Sequence, residues 1–269
     1  MAQEPLRAIL WDVDGTLAET ERDGHRIAFN AAFLAAGLPW QWDVERYGEL
    51  LNITGGRERI LHDLSTQASA PTDPADREAL ARALHLKKNI LYAERMSSSP
   101  IALRPGVREL LEECRDQGMI QGIVTTTSRS NVDALLAPHL GQDWGRWFPI
   151  LICGEDVAEK KPHPEAYQRA LAILRAQGIS AKQAVAIEDS TNGVRAACSV
   201  GIAVVLTRSI YFADADRTGT IASGPGLHQR EGWIPQATSD VCGQTKDRIR
   251  LNDVVQWHAR SRGEPLTNA

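Results

Sequence analysis

Two acids two residues apart, Asp12 and Asp14, close the apolar run 8–11 (Ala-Ile-Leu-Trp) and are followed at once by Gly15-Thr16. Residues two apart on a strand point the same way, so these carboxylates repel each other unless a cation or a shared proton compensates. Alone, the pair also suits a solvated Asp-x-Asp-Gly turn. Three more short apolar runs end in residues able to do chemistry: Thr125 and Thr126 after 119–124, Lys161 after 149–153, and Glu188-Asp189 after 184–187. Singly, these suit a β-branched strand residue, a basic turn, and helix-start acids favoured by the dipole.

Together, and in this order, they read as a phosphoryl-transfer site. Asp12, Asp14, Glu188 and Asp189 are the hard oxygen ligands that Mg²⁺ prefers. Lys161 and the cation would neutralise the phosphoryl oxygens, to which the Thr125 hydroxyl and the Thr126 backbone N–H would donate. Asp12 would attack phosphorus and become an aspartyl phosphate. Asp14, held protonated by its acidic neighbour, would protonate the leaving alkoxide and then take a proton from the hydrolytic water.

Such a site needs strand ends along one edge. After residue 99, expected helices at 105–117, 131–136, 164–177 and 191–200 alternate with strands at 119–124, 149–153, 184–187 and 203–206. That alternation predicts an α/β fold with a doubly wound parallel sheet, whose C-terminal strand ends share an edge. Between the first strand and the rest, the pattern is all helical. One helix at 25–36 carries a stripe of Ile27, Ala31, Leu34 and Ala35; another spans 43–51 with Asp43 as N-cap; a long one begins at Thr72-Asp73-Pro74 and reaches about 96. Residues 1–19 and 99–269 are therefore read as the catalytic core, and 20–98 as an inserted helical cap, or lid. Within the core, 207–250 is rich in Gly, Pro, Ser and Thr and reads as a long surface excursion, followed by a terminal helix at 251–260.

The 269 residues leave ample length for a core, and a net charge of −4 argues against nucleic-acid binding. No apolar run is long enough to span a bilayer, and residues 1–4 do not suit a secretory signal, so the expectation is a cytoplasmic monomer acting on a small molecule. Cys114, Cys153, Cys198 and Cys242 are scattered and read as reduced thiols.

D-x-D-G-T at 12–16, the Thr125 strand end, K-P-x-P at 161–164 and E-D-S-x-x-G at 188–193 resemble the four motifs of the haloacid dehalogenase superfamily, in the subgroup with a helical cap. Leu17-Ala18-Glu19-Thr20-Glu21, Trp40-Gln41-Trp42-Asp43, Tyr47, Thr54-Gly55-Gly56-Arg57-Glu58-Arg59 and Ala102-Leu103-Arg104-Pro105-Gly106 look like the CbbY family, Rubisco-associated phosphatases of xylulose-1,5-bisphosphate. This resemblance implies an Mg²⁺-dependent phosphatase of a phosphorylated sugar in the Calvin cycle, with Glu21, Tyr47, Gly55 and Arg59 contacting substrate. The residues add their own argument: Gly55-Gly56 exposes backbone N–H groups, and Arg57 and Arg59 offer forked donors suited to phosphate. A solvated arginine pair is the plain alternative, and positions i and i+2 do not share a helix face. A sugar phosphomutase on the same scaffold, in which His25 could shuttle protons, and a non-catalytic sugar-phosphate sensor are the other readings.

Overall fold

In the computed structural model, residues 4–237 and 248–263 are described. Strand β1 (Ala8–Trp11) is buried on both faces, as a strand covered by helices on either side must be. It lies at the centre of a six-stranded sheet ordered β3-β2-β1-β4-β5-β6, with β2 at Ile120–Val124, β3 at Ile150–Ile152, β4 at Ala184–Glu188, β5 at Ala203–Thr207 and β6 at Ala222–Gly224. Every pairing is parallel. Trp11 is level with Ile123 on one side and Ile187 on the other, so Asp12, Val124 and Glu188 leave the sheet at the same height. The chain order reverses between β1 and β4, where open α/β sheets form their ligand crevice. The expected doubly wound α/β sheet is thus present.

By packing, the described chain forms two compact units: one holds the residues up to Ala18, Leu103–Thr125 and those from Gly145 onward; the other holds Glu19–Ala102 and Thr126–Trp144. In the sheet unit, helices α5 (Val107–Asp116), α7 (Glu165–Ala176) and α8 (Thr191–Cys198) accompany the strands, and Leu10, Val124, Ile152, Tyr167, Leu171 and Val204 pack in one buried cluster. The stretch read as a surface excursion contains β6, which its Ala-Ser-Gly sequence hides because it lacks the β-branched and aromatic residues that mark strands. Trp233 lies against Gly224, where a β-carbon would come within 2.1 Å of the indole, and stacks at 4.8 Å on Trp257 of the terminal helix α9 (Leu251–Ser261). Cys114, Cys153 and Cys198 are free thiols; Cys242 lies outside the described residues. No described helix is long and apolar enough to cross a membrane.

The helical unit begins with a π-helical turn, Glu21–His25, that runs into α1 (Arg26–Ala35). Asp43 caps α2 (Val44–Leu50) by accepting the Arg46 backbone N–H at 2.7 Å, and Asp73 caps α4 (Pro74–Ser98) with Pro74 in its first turn. Helix α3 spans Gly56–Leu64, and α6 (Arg129–Leu140) packs along α4 in this unit rather than on the sheet. Asn131 and Ser128 both hydrogen-bond Asn89 of α4, a polar tie that strand-helix alternation does not reveal. The buried stripe of α1 also differs from the expected one: Ala28, Phe29, Ala32 and Phe33 face inward, while Leu34 is 78% exposed. Two phenylalanines bury more apolar area than the aliphatic stripe and so set the helix phase.

Trp42 sits edge-on to Phe33 at 4.8 Å and tilted to Phe29 at 4.9 Å, and donates its indole N–H to Asp63 at 2.7 Å. Arg46 donates to the same carboxylate at 2.6 Å and Gln67 at 3.0 Å. Burial pushes the Asp63 carboxyl up, but these donors outweigh it and hold its pKa below the usual carboxylate value. Asp63 thus contributes stability above its unfolded pKa of about 4, and loses it as pH falls through the depressed folded value. Asp63→Ala strands the Trp42 donor, so urea unfolding at pH 7 is expected to show a loss of about 2 kcal/mol. The gap from wild type should narrow toward pH 3; a constant gap would contradict the charge argument.

Candidate active site

The end of β1 delivers Asp12, whose backbone N–H donates to the Ile187 carbonyl at 3.0 Å. From the loop between β3 and α7 comes Lys161, 4% exposed, whose Nζ donates to Asp12 Oδ1 at 2.8 Å, Glu188 Oε1 at 2.6 Å and the Val124 carbonyl at 2.7 Å. Glu188 ends β4 fully buried, and Asp189 follows it. Carboxylate oxygens of Asp12, Glu188 and Asp189 all lie within 4.8 Å of one another.

Two glycines make room for these acids. Gly15, at φ +80°, carries the turn after β1, and a β-carbon there would come within 1.9 Å of Asp189 Oδ2. A β-carbon on Gly193, in the first turn of α8, would come within 1.8 Å of Glu188 Oε2. The E-D-S-x-x-G spacing is therefore a seat for a carboxylate as well as a helix start, with Ser190 capping α8 through the Gly193 N–H at 3.2 Å.

Three buried acids face the Lys161 ammonium and, at Asp189, the charge of Arg104, which opposes the rise of that carboxyl without cancelling it, so negative charge stays in excess. Burial raises the Asp12 pKa to about 8, with Lys161 opposing and Glu188 and Asp14 adding to the rise. Asp189 is raised by burial first and by Asp12 next. Burial alone would favour a neutral Lys161 amine, but Asp12 and Glu188 override it and lift its pKa above the usual lysine value. Glu188 Oε1 is taken by Lys161 and by the Tyr167 hydroxyl, whereas buried Oε2 has no hydrogen-bond partner among the described residues. Clustered hard oxygens, raised carboxyl pKa values, and an orphaned buried carboxylate oxygen all fit a divalent cation.

The sequence-derived residues fall into two groups. In the sheet unit, Asp12, Lys161, Glu188 and Asp189 converge, and Thr125 ends β2 buried, its N–H donating to Ile152 at 2.9 Å. Asp14 is half-buried and adds to the rise at Asp12; among the described residues, the carboxylates that converge are those of Asp12, Glu188 and Asp189. Thr126 groups with the helical unit. There, Arg59 is buried; its Nε donates to the Leu50 carbonyl at 3.1 Å and Nη1 to the Tyr47 hydroxyl at 2.8 Å, and Tyr47 in turn donates to Glu21. Gly55, at φ +96°, precedes Gly56 at the start of α3, so both arginines are helical. Arg57 turns away to Glu78 at 2.9 Å and Glu58 at 3.3 Å, as its i, i+2 offset from Arg59 requires.

Sequence reasoning missed three residues. Tyr167 is fully buried on α7, bonds Glu188 and lies 5.2 Å from Lys161 Nζ, yet a lone tyrosine on an apolar helix face looks like core. Ser209, past the last expected strand, hydrogen-bonds Asp189. Lys88, also buried, meets His25 Nδ1 at 2.8 Å, with the His25 ring stacked on Tyr92.

Protonation of Asp12 competes with a cation, and the raised pKa of Asp189 acts in the same sense. Affinity of the metal-free protein for a divalent cation is expected to fall by roughly tenfold per pH unit below about 8, with at least one proton released per ion bound near pH 7. Calorimetry in buffers of different ionisation enthalpy measures both, and affinity that stays flat from pH 6 to 8.5 would contradict this electrostatic picture.

The family profile described as haloacid dehalogenase-like hydrolase matches residues 6–201. The CbbY protein of Cupriavidus necator is 37% identical over 253 residues, covering 94% of this chain and 97% of that protein, and CbbY of Rhodobacter capsulatus is 43% identical over 78% and 89%. Among solved structures, a CbbY mutant from Rhodobacter sphaeroides in complex with xylulose-1,5-bisphosphate superposes with a TM-score of 0.71 at 39% identity, covering 80% of this chain and 92% of that one. With this match added to three strand ends whose acids and lysine converge, the chain belongs to the haloacid dehalogenase-like hydrolases, as a phosphatase-type enzyme related to the CbbY proteins.

Proposed function

We propose that this enzyme is an Mg²⁺-dependent phosphatase of small phosphorylated sugars, with xylulose-1,5-bisphosphate as its foremost substrate, working in the cytoplasm in the service of carbon fixation. The observation that carries the reading is the buried constellation of Asp12, Lys161, Glu188 and Asp189. Asp12 and Asp189, with Glu188, would hold the cation. Bound Mg²⁺ supplies positive charge that ionises Asp12 and neutralises the phosphoryl oxygens. Lys161 orients Asp12 by holding Oδ1 and shares in that neutralisation. The Asp12 carboxylate attacks phosphorus, the P–O bond to the sugar breaks, and Asp14 gives its proton to the leaving alkoxide. Asp14 then takes a proton from water as that water attacks the aspartyl phosphate, which releases inorganic phosphate and restores Asp12. The Thr125 hydroxyl and the Thr126 N–H are assigned to the phosphoryl oxygens.

Substrate choice rests on different residues. Glu21, Tyr47 and Arg59 form a connected polar cluster in the helical unit, with the chemistry to bind sugar hydroxyl and phosphate groups. Gly55 and Gly56 are assigned beside them, whereas Arg57, expected there from its forked donors, is engaged by Glu78 and Glu58 and is left out of the assignment. A CbbY relative in complex with xylulose-1,5-bisphosphate supports a sugar carrying two phosphates. The buried His25–Lys88 pair keeps a phosphomutase as the second reading, since it offers a proton-transfer group of its own.

Incubated with xylulose-1,5-bisphosphate and Mg²⁺, the full chain is expected to release inorganic phosphate, and Asp12→Asn to lower turnover by at least about 10³-fold. An isomeric sugar phosphate formed without phosphate release would identify the mutase instead. Arg59→Ala is expected to raise KM for bisphosphate over monophosphate substrates by about 10- to 100-fold, the worth of a charge-assisted hydrogen bond. Arg59→Lys should restore only part of it. Unchanged preference in both variants would remove Arg59 from substrate recognition.

A further inference from the structure

Arg104 lies in the 102–106 stretch that carries the family resemblance but has no role assigned so far, and its guanidinium touches four backbone carbonyls. Nη1 donates to Gly15 and, at 3.3 Å, to Thr207; Nη2 donates to Arg208 at 2.5 Å and to Pro225 at 3.3 Å. Its own backbone N–H donates to Leu17 at 2.8 Å. These acceptors come from three separate places: the turn after β1, the end of β5 and the end of β6. Two residues on, Gly106 at φ +87° lies under the passing backbone, where a β-carbon would come within 2.6 Å of the Leu227 carbonyl carbon.

Two of the three segments that Arg104 joins are the walls around Asp189. On one side is Gly15, whose α-carbon leaves no room for a side chain against Asp189 Oδ2. On the other is Ser209, which hydrogen-bonds Asp189 and whose Cβ would be 3.1 Å from a β-carbon on Gly15. A carboxylate wedged in this way keeps one rotamer without help from a bound ion. A single ammonium could not replace the guanidinium, because its donors radiate from one atom and cannot span acceptors on three segments.

We propose that Arg104 is a positioning residue of the active site: it clamps the Gly15 turn to the 207–209 and 225 segments, and so holds Asp189 in the orientation that binds the cation. The segment beyond the matched family region thereby becomes part of the site's frame. This rests on the reading of the acids as a cation site. Groups that orient a metal ligand are typically worth 10- to 100-fold in affinity.

The test is titration of the full metal-free chain with Mn²⁺, read by electron paramagnetic resonance, with Mg²⁺ as competitor. Arg104→Met and Arg104→Lys are each expected to weaken Mn²⁺ binding by about 10- to 100-fold, and Ser209→Ala by at least about tenfold. KM for the phosphate ester at saturating metal should stay close to wild type. Arg230→Met, which breaks an ion pair with Asp253 in the same C-terminal region, is expected to lower thermal stability and leave Mn²⁺ binding unchanged. Should Arg104→Met fail to fold, Arg104→Lys and Ser209→Ala carry the test. Wild-type affinity in these variants, or an equal loss in Arg230→Met, overturns the proposal. Wild-type protein that binds Mn²⁺ no better than Asp189→Asn overturns the cation site itself, and the proposal with it.

Discussion

The Lys161 ammonium, buried between Asp12 and Glu188, is the contact on which the catalytic arrangement depends. The buried ammonium does not balance the carboxylates around it, and burial together with that excess of negative charge raises the Asp12 and Asp189 pKa values. The protein therefore holds a site that is electrostatically incomplete by construction. The same imbalance that penalises the isolated fold prepares the site for a multivalent cation and a phosphoryl group. Tyr167 reinforces the arrangement by bonding Glu188, the carboxylate that Lys161 also holds.

Parallel topology makes this contact possible. Asp12 and Lys161 are 149 residues apart in the chain, and Glu188 is a further 27 on. Registered strands bring them to one edge because β1 is flanked by β2 and β4 at matched height. No local sequence signal encodes that meeting; it follows from the winding rule for such sheets.

Legibility from sequence followed the same division. Strands β1 to β5 and the acids and lysine at their ends were readable, because buried parallel strands are continuous apolar runs and catalytic groups gather where such runs stop. Capping residues Asp43 and Asp73 were readable for the equally local reason that a short acid side chain satisfies free N–H groups. The phase of α1 was misread, since an aliphatic stripe and an aromatic one compete on that helix and tertiary packing selects between them. Strand β6, Tyr167 and Ser209 were invisible for a third reason. Each takes its meaning from a partner in another element: β6, whose Ala-Ser-Gly sequence carries no strand signal, from β5 and Trp233, and the others from Glu188 and Asp189.

The three residues of β6 also protect the sheet. Without them, the Val-Val-Leu run of β5 would be a bare apolar margin with unpaired backbone groups, the kind of surface on which chains stick to one another. As built, the margin ends in a short strand whose outer side meets Ile234 in an antiparallel bridge, with an indole laid over its glycine. The weakly patterned tail thus acts as a selvedge that keeps neighbouring molecules from knitting onto the enzyme.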